Sequence, residues 1–182
     1  MKKIFLLILS FAFSSFIIAQ QKKNIDLFLD DDGNISLETK YLQTAITDQQ
    51  IREWISSFPD HVNGKIEYIN SHSGEFRYKG WVPISLSERP SVFQIEMHFT
   101  LSIHSAEDQL IVGISDIYYK SYPEYGKQGT PSIISYPKDW YSKAKLRKKK
   151  GNLPWLNSLV KKNTISKAEE LLASGNAFFI CL

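Results

Sequence analysis

The sequence predicts an α+β domain: a curved antiparallel sheet of about five strands with helices packed on one face. Three observations lead there. Residues 92–105, VFQIEMHFTLSIHS, place Phe93, Ile95, Met97, Phe99, Leu101 and Ile103 on one side of a strand. Gln94, Glu96, His98, Thr100, Ser102 and His104 fall on the other. A period of two sustained this long is a half-buried strand of about 40 Å. Secondly, AEDQ (106–109) turns the chain and LIVGISDIYYK returns it. Thirdly, Thr47-Asp48-Gln49-Gln50 is a capping box, Thr at the N-cap and Gln at N3, with an acid in the first turn.

Taken in order, IDLFL (25–29) and ISLETKYL (35–42) alternate on either side of DDGN, which reads as a hairpin. The acidic turn is not a calcium loop. With Gly33 at the sixth position, Phe28 and Thr39 would stand where the end carboxylates must be. After the capping box, Ile51, Trp54, Ile55 and Phe58 recur at helical spacing until Pro59, predicting an amphipathic helix over 48–58. GKIEYINS (64–71) turns at Ser73-Gly74 into EFRYKGWVPI (75–84), where Phe76, Tyr78, Val82 and Ile84 share a face. In the return strand the apolar set moves from Leu110, Val112 and Ile114 to Ile117 and Tyr119. That switch of face predicts a β-bulge near Ser115-Asp116. Residues 119–152 read as a long aromatic and basic loop. Two helices over 153–175 are expected to follow, Leu153–Lys162 with Pro154 at its start and Ser166–Ser174 with Gly175 as its stop.

The N-terminus carries a leader pattern. Met1-Lys2-Lys3 precedes an apolar run over 4–18, and the chain turns polar after Ala19-Gln20. That is the layout of a secretory signal peptide, with cleavage expected after Ala19. The run is shorter than the ~20 residues a spanning helix needs. An uncleaved anchor is the alternative. Export to the periplasm or outside the cell is therefore expected, leaving one domain over 20–182, long enough for a substantial core.

The formal charge of the whole chain is +3. Six of the eight residues in KAKLRKKK (143–150) are basic. Without the leader lysines and this run the remainder is about −5, so the domain is mildly acidic with one basic segment. That excludes a broad nucleic-acid surface. The run holds a single large apolar residue, Leu146, so it is no amphipathic membrane helix. Cys181 is the one cysteine, so no internal disulfide forms and packing alone must hold the core.

Several of these features together resemble a known family. They are the Trp-bearing helix (Ile51–Phe58), the strand start Gly64-Lys65-Ile66, Lys79-Gly80, the strand FTLSI and the return strand ending ISDIYY. Over about Ile35 to Ala173 the chain resembles the secreted bacterial domains of unknown function with a TBP-like fold, named after the TATA-binding protein. The resemblance implies a β-α-β-β-β-β-α order. It implies no activity, and the fold name carries no DNA binding with it.

Glu96 and His98, at i and i+2 on one strand face, are the weak metal alternative, needing a third ligand such as Glu67 or Glu75. A solvated polar face is the simpler reading, and no cofactor is expected. Gly113-Ile114-Ser115-Asp116 starts like a hydrolase elbow and breaks at Ile117. The stronger lead is the segment 118–150. Its weak binding candidates are Tyr122, Tyr125, Tyr136, Trp140 and Tyr141, rings able to stack on sugars or bases, with Arg147, Lys148, Lys149 and Lys150 to meet anions.

The functional expectation is a non-catalytic structural or interaction module. A cell-envelope polyanion or glycan binder using 118–150 is the alternative, and a hydrolase or metal enzyme comes third. The partner would be an anionic envelope polymer or another envelope protein, with no transmembrane span and no specific nucleic acid.

Overall fold

The computed structural model describes residues 25–30, 34–41, 46–70, 75–87, 93–106, 109–122, 131–142 and 154–179. The leader, Tyr125, the basic run 143–150 with Arg147, Lys148, Lys149 and Lys150, and Cys181 lie outside the described residues.

Seven antiparallel strands form one sheet: β1 (Ile25–Leu29), β2 (Ile35–Tyr41), β3 (Asn63–Asn70), β4 (Glu75–Ser85), β5 (Gln94–Ala106), β6 (Gln109–Ser121) and β7 (Ile134–Ser135). Their order is β1-β2-β6-β5-β4-β3, with β7 on β6. Among the described residues four helices accompany them: α1 (Asp48–Ser56), α2 (Pro137–Tyr141), α3 (Pro154–Ser174) and α4 (Asn176–Phe179). This is the expected α+β architecture. The sheet exceeds about five strands because the expected hairpin β1–β2 joins the other four through β6, and because the two-residue strand β7 adds to β6.

The strand faces divide as the period of two demands. Ile95, Met97, Phe99, Leu101 and Ile103 of β5 are buried, as are Phe76, Tyr78, Val82 and Ile84 of β4. The helices cover this face. In α1 the capping box is closed: Gln50 N–H donates to Thr47 Oγ1 at 3.2 Å and Thr47 N–H to Gln50 Oε1 at 2.9 Å. The helix stops at Ser56, two residues short of expectation, with Ser57 as C-cap donating its hydroxyl to Trp54 O at 2.6 Å. Trp54 is fully buried between Phe58 and Phe179, at ring-centroid distances of 5.4 and 5.0 Å. Its Nε1–H donates to Ser174 Oγ, so the one polar atom of the ring is satisfied.

The bulge falls at the predicted place. β5 and β6 pair up to His98↔Tyr118 and resume at Thr100↔Ser115, so Asp116 and Ile117 oppose Phe99 alone. Asp116 has φ 51°, the left-handed region that Asp and Asn tolerate better than most residues. The extra residue brings Ile117 and Tyr119 to the same side as Leu110, Val112 and Ile114, and all five are buried.

The C-terminal region departs from expectation. The two predicted helices are one helix, α3, of 21 residues. Asn163-Thr164-Ile165 holds no breaker, and Asn157, Val160, Thr164, Ala168 and Leu171 continue a single buried stripe through it. Nor is 119–152 simply a loop, since β7 and α2 lie inside it. Pro137 at the start of α2 and Asp139 at its third position are helix-start chemistry, and Asp139 Oδ2 accepts from Tyr136 N–H at 2.9 Å.

Gly80 is paired with Gly64 across β3 and β4. A Cβ on Gly80 would meet the Tyr78 ring at 2.5 Å and the Phe99 ring at 2.9 Å. The two glycines make room for the Tyr78 ring to lie over the backbone, against Phe58 and Phe99.

Candidate ligand-binding face

The side of the sheet opposite the helices carries Lys79, Trp81 and Pro83 of β4, Glu96, His98 and Thr100 of β5, and Tyr118 and Lys120 of β6. Register aligns them in rows. His98 lies opposite both Trp81 and Tyr118. On the far side of β6, Tyr119 pairs with Ser135, which brings Tyr136 next to Tyr118. Four rings from four consecutive chain segments therefore cross the sheet: Trp81, His98, Tyr118 and Tyr136. His98 stacks on Tyr118 at 4.6 Å with an 11° tilt, and Trp81 stands 6.3 Å from His98. The stack turns the His98 ring inward, between its neighbours. Ring surface remains on Trp81 at one end and on Tyr118 and Tyr136 at the other. Tyr136 is 49% exposed, and Lys138 Nζ lies 5.8 Å from its ring centroid.

The neighbouring row is polar. Nε2 of His98 is 2.8 Å from Oε2 of Glu96, a distance at which an Nε2–H donates to the carboxylate. Lys120 Nζ lies 3.9 Å from the same oxygen. Lys79, on the other flank, bridges to Glu67 at 3.1 Å.

A groove of about 680 Å³ runs beside the ring row. Its position follows from the bulge. β2 pairs with β6 as far as Leu37↔Ile114, and β7 joins at Tyr119↔Ser135. Between them β6 from Ser115 to Tyr118 has no strand on that side among the described residues. Asn34 and Ile35 close one end of the notch and Tyr136 and Pro137 the other, while Lys79, Trp81, His98, Thr100 and Asp116 line its length. The volume is that of a small-ligand cleft.

The aromatic segment singled out from sequence is split by the sheet. Tyr118 and Tyr136 face the groove. Trp140 and Tyr141 lie on the helix side. Trp140 packs edge-on against Tyr119 at 6.1 Å and donates Nε1–H to Ser135 Oγ at 2.8 Å. Tyr141 is 2% exposed. Its hydroxyl is 2.8 Å from that of Tyr119, which is 2.8 Å from Thr164 Oγ1. Because Thr164 spends its one proton on Val160 O, the order is set: Tyr141 donates to Tyr119, and Tyr119 to Thr164. Burial pushes the Tyr119 phenol up to about 12, against its hydroxyl contacts, which lower it. Burial pushes Tyr141 up as well, with Tyr119 adding to the shift. Both stay neutral at physiological pH, as core groups. Tyr122 follows β6 and is half-buried.

For the metal alternative, Glu96 and His98 are adjacent, but Glu67 is bridged to Lys79 and Glu75 pairs with Asn70 at the far end of β4. No group of three metal-ligating side chains converges among the described residues. The Gly113–Asp116 stretch is β6 backbone entering the bulge. Sequence reasoning missed Trp81 and Asp116 as groove residues. A usable signal existed: a tryptophan on the polar-facing set of a strand whose other set is fully apolar.

None of the described helices is long and apolar enough to cross a membrane. No family model and no curated protein matches the chain. Two solved structures do. A DUF4468 family protein from Bacteroides ovatus is 13% identical, with 79% of this chain and 88% of that one covered and a TM-score of 0.48. A TBP-like protein from Parabacteroides distasonis is 15% identical, with 79% and 94% covered and a TM-score of 0.50. Neither is described by an activity. With the antiparallel sheet and the helices on one side, the likeness to the second shows that this chain has a TBP-like fold.

Proposed function

We propose that this chain is an exported, non-catalytic interaction module whose helix-free sheet face is its binding surface. The observation that carries the reading is the row Trp81–His98–Tyr118–Tyr136 beside the groove. Aromatic surface placed where no described helix covers it is a costly arrangement for a sheet that needs only solubility. The non-catalytic part of the reading is supported by the state of the acid–base groups. Glu96 is engaged by His98 and faced by Lys120. Export is supported by the basic, apolar and small-residue order of the N-terminus. The partner class is a polymer or protein of the cell envelope.

A second reading rests on KAKLRKKK, whose six basic residues would engage a polyanion together. One experiment separates the two. Retention on purified envelope material is measured for the parent protein, for a Trp81→Ala/Tyr118→Ala double variant, and for charge reversal of Lys148, Lys149 and Lys150. Loss only in the double variant is the expected result. Loss only on charge reversal moves the binding surface to the basic run.

A further inference from the structure

We propose that the groove beside the ring row is a binding site for a neutral saccharide. The proposal rests on the reading of the helix-free face as the binding surface, and adds the ligand's chemistry. Charge is the first argument. Among the described residues, the charged side chains lining the groove are Lys79 and Asp116, one of each sign. Lys79 is bridged to Glu67, and beyond the groove Lys120 faces Glu96. With Lys79 taken up by Glu67, the open Asp116 carboxylate is set against Lys138 beside Tyr136, so among the described residues neither a polyanion nor a polycation meets a net field there. The complementary ligand is uncharged.

Shape and chemistry narrow it further. A pyranose offers one face of C–H groups and a rim of hydroxyls. The C–H face suits the ring surface left free on Trp81 at one end of the row and on Tyr118 and Tyr136 at the other. Hydroxyls suit the Asp116 carboxylate and the Asn34 amide oxygen, whose nitrogen Asp30 holds in place at 2.7 Å. Asp116 is exposed, and among the described residues its side chain accepts one long contact, from Ser115 Oγ at 3.4 Å, which leaves acceptor capacity open there. The bulge is what aims it, since the left-handed turn at Asp116 occurs where β6 lacks a strand neighbour. The notch, about 680 Å³, falls within the size range of small-ligand clefts.

The test uses the whole protein and two sets of probes. Neutral gluco-, manno- and chito-oligosaccharides form one, heparin and polygalacturonate the other. Binding is followed by tryptophan fluorescence and by calorimetry at low and high salt. The expected result is binding of at least one neutral oligosaccharide with an affinity that salt does not change. Trp81→Ala and Asp116→Asn should each weaken it about tenfold or more, and Trp81→Phe should retain part of it. Asp116→Asn keeps a residue that accepts the positive φ, so it guards against a folding artefact in Trp81→Ala. Lys148→Glu, Lys149→Glu and Lys150→Glu together should leave binding unchanged. Failure of every neutral oligosaccharide overturns the saccharide assignment. An acidic polymer or an envelope protein held through Trp81 and Tyr118 overturns the assignment while the face remains the binding surface. Salt-sensitive binding that survives Trp81→Ala overturns both.

Discussion

The two faces of the sheet use the same residue types to opposite ends, and Trp54 and Trp81 show it best. Trp54 on the helix side is fully buried, edged by two phenylalanine rings, with its N–H satisfied by Ser174. Trp81 on the other side is half-buried and, among the described residues, has one ring neighbour, His98. The tyrosines divide likewise. Tyr119 and Tyr141 spend their hydroxyls in a closed donor chain that ends on Val160 O. Tyr118 and Tyr136, one residue away from core positions, turn into the groove. One face is saturated with partners. The other keeps ring surface and a carboxylate in reserve, which is what a binding surface needs and a core cannot tolerate.

The largest effect should follow from breaking the saturated face. Trp54→Ala removes the ring between α1, α4 and the sheet and should cost about 3–5 kcal/mol in a denaturant titration. A loss below about 1 kcal/mol would mean that the helices do not form one core with the sheet.

Next in size is Tyr119→Phe. It removes the middle hydroxyl and strands the Tyr141 donor, at a cost of about 1–3 kcal/mol. Tyr141→Phe should cost less, since it removes the first donor and leaves the remaining bonds intact. Equal costs would contradict the donor order.

The same residues set a pH dependence. Unfolded tyrosine ionises near 10, while folded Tyr119 holds its proton to about 12. The folded state then binds more protons than the unfolded one, so stability falls as pH rises from about 10 to about 12. Melting curves across that range should show the fall, and Tyr119→Phe should reduce it.

How much of this was legible in the sequence depends on which periodicity each region carries. β5 was legible because twelve alternating residues admit one reading. The bulge was legible because a change of apolar parity from Ile114 to Ile117 has few other causes. The capping box named the start of α1 to the residue. β7 was not legible, since two residues carry no period, and with it went the knowledge that Trp140 and Tyr141 turn inward while Tyr136 turns out. The ring row was out of reach for a different reason. It depends on the register of four segments, and register is set by pairing across the sheet. The tyrosine-rich segment thus supplies three of its six described rings, Tyr119, Trp140 and Tyr141, to the core side.

A smaller effect is expected at the bulge. Asp116→Ala places a β-carbon at positive φ with no polar group to help, for about 1 kcal/mol, while Asp116→Gly should be nearly neutral. Smallest of all, Trp81→Ala should cost no more than about 1 kcal/mol, the worth of a cross-strand pair on an open face.

The most direct test sets Trp54→Ala and Trp81→Ala side by side, each measured for unfolding free energy and for retention on envelope material. If the two faces divide the labour, Trp54→Ala loses stability and, while still folded, keeps its binding. Trp81→Ala keeps its stability and loses its binding. Binding that survives Trp81→Ala in a folded protein would contradict the account.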